Sequence, residues 1–232
     1  MGLENLLQLE ESGHFWIQGK QLAVQEMVCR LRSRRVLDIG CGTGSLLKKL
    51  FEGGIEISGI DLHPRAVERC KKTLPKALII RGDAIHLPLR DSSFEIVLAL
   101  DIMEHVDRDD LLLAEAFRTL KPGGCLIIVV PAWRWLFMER DRVTGHLRRY
   151  HRRELVALLN RAGFLIESLN YYNFILFPLV LLSRLLRLRE STPPFVLNSL
   201  LAFIVKTEVK LSRKCFFPWG SSLMVRGIKP VV

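Results

Sequence analysis

One stretch limits the fold more than any other. In "RRVLDIGCGTG", residues 34–44, a short apolar run ends at Asp38 and Ile39 and breaks into Gly40, Gly42 and Gly44 just ahead of the helix-like "SLLKKLF". Glycines at alternate positions let the backbone approach a ligand with no Cβ in the way. A dinucleotide site takes G-x-G-x-x-G, whose third glycine admits close helix packing beside a pyrophosphate at the helix N-terminus. Here the order is G-x-G-x-G and residue 45 is Ser. The expected ligand is therefore a nucleoside carrying a bulky group other than a pyrophosphate.

The surrounding pattern fits such a loop. Apolar strand-like runs alternate with helix-like stretches from Val36 to Ile166, which predicts a parallel sheet covered by helices on both faces. Strands are expected at 35–39, 56–61, 77–81, 94–100 and 125–130, with helices near 45–51, 65–73, 108–119 and 153–161. "LKPGG", residues 120–124, reads as a helix stop with turn chemistry, since Pro fixes φ and Gly allows positive φ. A sixth strand at 165–171 and a last one at 222–229, hairpinned beside it, complete the α/β chain. The expectation is one domain: a cap helix within 1–30, a cofactor core at 31–172, a helical insertion at 173–220 and a last strand at 221–232.

At the end of the second strand, "SGIDLHP" places Asp61 about 20 residues beyond the glycines, the offset at which a carboxylate meets ribose hydroxyls. Leu62 then covers one adenine face. At this point the chain resembles the class I S-adenosylmethionine-dependent methyltransferases over about residues 30–170. The further stations of the resemblance are "GDAIHLPL" after strand three, "FEIVLALDIMEHV" at strand four and "LKPGG" before strand five. It implies a Rossmann-like, mostly parallel seven-stranded sheet with the last strand antiparallel, and S-adenosyl-L-methionine as cofactor. It also implies that Asp38 and the backbone of Gly40, Cys41, Gly42 and Gly44 hold the methionyl part, Asp61 the ribose, and Asp83 with Ala84 the adenine edge. Asp101 and Ile102 would line the donor, with Glu104 on the acceptor side. The N-terminal "EESGHFWIQGK" and the segment after strand five resemble a bacterial subgroup, methyltransferase type 11 or 12, many of whose members serve glycan or lipid pathways.

Methyl transfer from a sulfonium is an in-line displacement, so the protein mainly positions the acceptor and excludes water. A hydroxyl acceptor would gain from a general base, for which His is suited near neutral pH. His105 is the first candidate and His146 the second. "GHLRRYHRREL", residues 145–155, follows strand five, and ligands in open α/β sheets collect beyond the carboxyl ends of the strands. Arg148, Arg149 and Tyr150 are thus candidates to bind an anionic acceptor. The alternative reading pairs Arg148 and Arg149 with Asp141 or Glu139 and lets Arg152 and Arg153 open a helix.

The net charge of +10 points to an anionic partner, and nine Lys/Arg between Arg184 and Lys229 face only Glu190 and Glu208. Interleaved with Leu, Phe, Ile and Val, they suggest two basic amphipathic helices, either resting on an anionic membrane surface or packed as a lid or subunit contact. The longest apolar run, residues 174–182, contains Pro178 and is too short for the ~20 residues of a spanning helix. No basic n-region with a following h-region opens the chain, which predicts a cytoplasmic location, peripheral to the membrane. Five scattered cysteines without C-x-x-C argue against disulfides and zinc, so no metal is expected. "DIME" stands where amino-methylating DNA enzymes carry an Asn/Asp-Pro-Pro-aromatic motif, and "TPPF" at 192–195 follows strand six instead. Nucleic acid is disfavoured. A small-molecule or lipid-linked acceptor fits best, with a soluble acceptor or a non-catalytic cofactor-binding module as alternatives; no oligomeric state is legible.

Overall fold

The computed structural model describes residues 14–31, 35–186, 194–212 and 215–231. A first helix, α1 (Phe15–Arg30), leads into β1 (Arg35–Ile39), α2 (Ser45–Glu52), β2 (Glu56–Asp61), α3 (Pro64–Thr73) and β3 (Leu78–Arg81). Next come β4 (Phe94–Leu100), α4 (Asp109–Thr119), β5 (Leu120–Pro131), the short α5 (Glu139–Val143), α6 (Arg152–Arg161) and β6 (Leu165–Tyr172). The chain continues through α7 (Phe177–Leu185) and α8 (Phe195–Leu211) to β7 (Ser222–Ile228). The seven strands form one sheet in the order β3-β2-β1-β4-β5-β7-β6. All neighbours are parallel except β7, which runs antiparallel between β5 and β6.

The apolar runs are continuous because the central strands are covered on both faces. Leu37 and Ile39 point into a core shared with Leu112, Leu113 and Ala116 of α4 and with Leu155 and Leu159 of α6. Val36 points the other way, toward Val24 and Val28 of α1, Leu47 of α2 and Val205 of α8. Each such buried aliphatic side chain contributes about 1.5–3 kcal/mol through burial. Pro64 opens α3, where its fixed φ suits a first helical turn.

Residues 120–124 depart from the expected turn. They extend β5 at its start: Leu120 pairs with Phe94, a register shift follows before Ile96, and the Gly123 N–H donates to the Lys229 carbonyl at 2.9 Å. The turn residues are present, with Gly123 at φ 76, but the adjacent end of the last strand captures their backbone groups. Pairing overrides local turn chemistry here.

The insertion forms the two expected helices, while most of the breaker expected to join them, Ser191–Pro193, lies outside the described residues. Leu201, Ala202, Val205 and Val209 of α8 are buried, with Val205 against Gly19 of α1. The backbone N–H groups of Phe174 and Ile175 donate to Glu208 of α8 at 2.8 and 2.9 Å. Phe195, Val196, Leu200 and Phe203 remain exposed on the same helix. Among the described residues, no helix is long and apolar enough to cross a membrane.

Candidate active site

The site lies beyond the carboxyl ends of β1, β2 and β4. After β1 the backbone N–H groups of Gly40 and Cys41 donate to the Ile60 carbonyl at 2.8 and 3.1 Å, which folds the loop back onto β2. Gly40 and Gly44 sit at φ 77 and 79, the left-handed region that a side chain disfavours, and a Cβ at Gly40 would also press on Ile102. Asp61 braces the loop from the far side: one carboxylate oxygen accepts the Gly42 N–H at 2.9 Å, the other the His63 N–H at 2.8 Å. Leu62 beside it is exposed. Asp83, after β3, accepts the Ile85 N–H at 3.1 Å and forms a backbone bridge with His86, and the neighbouring Ala84 packs on the core.

Asp38 is a buried acid of the site. It is 4% exposed and its Oδ1 has no hydrogen-bond partner. Burial, reinforced by the Asp61 carboxylate, pushes its pKa up to about 7, against the opposing pull of Lys20. Lys20, on α1, forms an ion pair with Asp101 at the end of β4. Asp101 itself adopts φ 49, a strained value for a side-chain-bearing residue and one that clusters at functional sites. Sequence reasoning did not single out Lys20. It closes the segment "EESGHFWIQGK" that carries the subgroup resemblance, but its partner stands 81 residues away and nothing local marks the pairing.

The acceptor-side candidates separate into two groups. Glu104, His105 and His146 come together beside Asp101. Glu104 is 1% exposed, and burial together with the Asp101 charge holds its carboxyl well above the usual range. His105 Nδ1 lies 3.0 Å from the Gly145 carbonyl. Burial and the neighbouring His146 lower its pKa to about 4, so it is neutral at physiological pH. Arg148, Arg149 and Tyr150 instead turn inward. Arg148 pairs with Asp109 at 3.2 Å, and the Tyr150 hydroxyl reaches the same carboxylate at 3.0 Å. Arg149, 4% exposed, donates to Asp141 and to the Ala132 carbonyl, each at 3.1 Å. These three side chains, expected to meet an acceptor, thus have donors directed to Asp109, Asp141 and the Ala132 carbonyl, and the Arg149–Asp141 pair is the one that the alternative reading of the segment named. Asp141 accepts from Arg184 of α7 as well, at 3.0 Å, and so ties the insertion to the domain.

A separate cleft of about 540 Å³, lined by Asp91, Arg118, Arg161 and Lys229 among others, opens at the amino ends of the central strands. It lies away from the glycine loop and takes no part in the site.

Comparison with known proteins agrees with this geometry. Residues 37–128 match a family described as methyltransferase domain. A probable S-adenosylmethionine-dependent methyltransferase of Mycolicibacterium smegmatis is 28% identical over 157 residues, covering 67% of this chain and 61% of the relative. An uncharacterized methyltransferase of Mycobacterium tuberculosis is 36% identical over 131 residues, covering 56% of this chain and 49% of the relative. The chain thus spans about half to three-fifths of the length of these relatives. In fold, it is similar to a Thermotoga maritima S-adenosylmethionine-dependent methyltransferase, a possible histamine N-methyltransferase, with a TM-score of 0.62 and 22% identity over 98% of this chain and 97% of that one. Over residues 37–128 the chain thus matches the methyltransferase domain family, and its fold is that of S-adenosylmethionine-dependent methyltransferases.

S-adenosylmethionine, the cofactor of this family, is a cation at both its sulfonium and its amino group. The loop after β1 and its surroundings fit it in two ways. The unpartnered, buried Asp38 oxygen offers a carboxylate where a positive charge is needed, and the glycine loop leaves room that any Cβ would fill. Asp61, although it already receives two backbone N–H groups, retains lone pairs for ribose hydroxyls.

Proposed function

We propose that this chain moves a methyl group from S-adenosylmethionine to an oxygen of an anionic, lipid-linked or amphiphilic acceptor at the cytoplasmic membrane face. The methyl donor supplies an activated methyl group on sulfur. The residues around it bind, orient and exclude water. The single observation that carries the donor half is the buried Asp38 oxygen without a partner beside the glycine loop.

The acceptor half rests on the two-faced helix α8. Its inner face is buried against α1. Its outer face presents Phe195, Val196, Leu200 and Phe203 to solvent, with exposed Lys206 and Lys210 toward its end. α7 adds exposed Leu179, Leu182 and Leu185. Apolar side chains with lysines alongside suit a headgroup zone, where the chains enter the acyl boundary and the ammonium groups meet phosphates.

The test is to incubate purified protein and methyl-labelled S-adenosylmethionine with a bacterial extract and partition the products. Label in the organic phase supports a lipid-linked acceptor. Label confined to aqueous or nucleic-acid fractions refutes it and makes the exposed apolar face a lid or contact surface.

A further inference from the structure

Glu104 sits in the 3-10 turn Met103–His105 that follows β4, almost fully buried, and its Oε2 has no hydrogen-bond partner. A buried carboxylate oxygen without a donor is costly unless a cation meets it. Two imidazoles face it. Glu104, His105 and His146 each offer one ligand atom, and these atoms lie within 4.8 Å of one another. The two rings meet edge to face with centroids 4.7 Å apart.

The surroundings orient the His105 ring and hold His146 beside it. His105 Nδ1 is 3.0 Å from the Gly145 carbonyl oxygen, and His146 Nδ1 is 3.4 Å from Asp141 Oδ1. The His105 Nδ1–H aimed at a carbonyl leaves its Nε2 with the free lone pair, the way outer groups orient metal-bound imidazoles, while His146 Nδ1 is buried with no hydrogen-bond partner. Asp141 is itself fixed by Arg149 and Arg184. The connecting backbone is tied down too: the Leu147 N–H donates to the Glu104 carbonyl at 2.7 Å and the His146 N–H to the Asp141 carbonyl at 2.8 Å. Gly145, at φ 81, makes the bend that brings His146 against His105.

From this juxtaposition we propose that Glu104, His105 and His146 form a site for a divalent transition-metal ion at the acceptor edge of the methyl-transfer centre. Two imidazole nitrogens and one carboxylate suit Zn²⁺, Co²⁺ or Fe²⁺, whereas Mg²⁺ and Ca²⁺ take all-oxygen sets. Three protein ligands leave coordination positions open. An acceptor hydroxyl bound there would release its proton to solvent more readily, as metal-bound water does. That role rests on the methyl-transfer reading; the metal site itself does not. The scattered cysteines argued against zinc in the sequence, but this ligand set needs no thiol.

The experiment is a Co²⁺ titration of the chelator-treated full chain, followed by visible absorption, without acceptor or S-adenosylmethionine. One equivalent of Co²⁺ should give d–d bands that one equivalent of Zn²⁺ abolishes. His105→Ala and His146→Ala should each weaken binding by more than about tenfold, and His86→Ala, remote from the cluster, should not. Glu104→Gln should do the same as the histidine variants; where it fails to fold, the two histidine variants decide. Absence of stoichiometric binding overturns the proposal. So does binding unchanged in both histidine variants, or a thiolate charge-transfer band that places the ion on cysteine. Calorimetry of S-adenosylmethionine binding to the metal-free chain tests the donor site separately, so either reading can fail alone.

Discussion

The Lys20 ammonium of the first helix meets the Asp101 carboxylate at the end of β4, with the buried carboxyls of Asp38 and Glu104 close enough to raise the lysine's pKa further. Burial acts in the opposite direction on this lysine and is outweighed. One cation thus serves three acids at the centre of the site. Lys20→Met should lower stability by about 1–3 kcal/mol, read as a lower Tm. A saturating cationic donor should raise Tm more in the variant than in the parent protein, because it restores positive charge among the same acids. An equal rise in both would place Lys20 outside the donor's field.

The Asp38 carboxyl gives the site a pH dependence with a definite sign. Its pKa of about 7 in the free protein lies above the ordinary carboxylate range, and a cationic ligand binds its ionised form. The dissociation constant for S-adenosylmethionine should rise as pH falls below 7, approaching about tenfold per unit. In the ligand-free protein the same shift favours the protonated, folded form, so its stabilising effect is full below the unfolded-state value and fades as pH rises through about 7. Asp38→Asn should remove both dependences. Calorimetry and thermal melts across pH 5.5 to 8 check them, and a flat affinity profile would reject the assignment.

Asp61 braces Gly42 and His63, and its expected second role is to meet the donor's ribose. Asp61→Ala should abolish measurable donor binding while circular dichroism stays native. Asp61→Asn, which keeps one acceptor oxygen, should retain weak binding. Parent-like affinity in the alanine variant would overturn the ribose assignment.

Arg149 is expected to matter for stability. Its removal leaves the buried Asp141 without a main partner, and breaking a buried pair typically costs about 3–5 kcal/mol. Arg149→Ala should melt well below the parent protein. A variant with parent Tm and a raised acceptor KM would return Arg149 to the acceptor.

The outer face of α8 can be tested by charge. Leu200→Glu with Phe203→Glu should reduce co-sedimentation with phosphatidylglycerol vesicles, and added salt should weaken what remains. Both residues are exposed, so little change in Tm is expected. Vesicle binding unaffected by the pair would assign the face to something other than a membrane.

The sheet and the glycine loop were legible because central parallel strands read as mostly apolar runs and glycines punctuate them. Val36–Ile39, interrupted by Asp38 alone, and Phe94–Leu100, interrupted by Glu95 alone, are of this kind. The start of β5 was hidden, since its pairing with Phe94 and with the end of the chain is non-local. His105 and His146 stood out singly as titratable groups near the strand ends, but their contact across 41 residues is made by a loop fold that no spacing rule encodes. The inward turn of Arg148, Arg149 and Tyr150 was legible only as one of two readings, the one that named Asp141 as a partner, because a basic run looks the same whether its partners are ligands or buried acids.

Gly19 carries a consequence for how far the insertion and the reaction centre can vary independently. A Cβ there would overlap Val205 of α8 and the Tyr172 hydroxyl, so the two helices approach to the limit that a bare backbone permits. The next residue along the same helix is Lys20. A single added methyl at position 19 would wedge α8 outward and drag the ammonium group from Asp101, so the spacing of two surface helices and the charge balance around the methyl donor are set by the same missing atom.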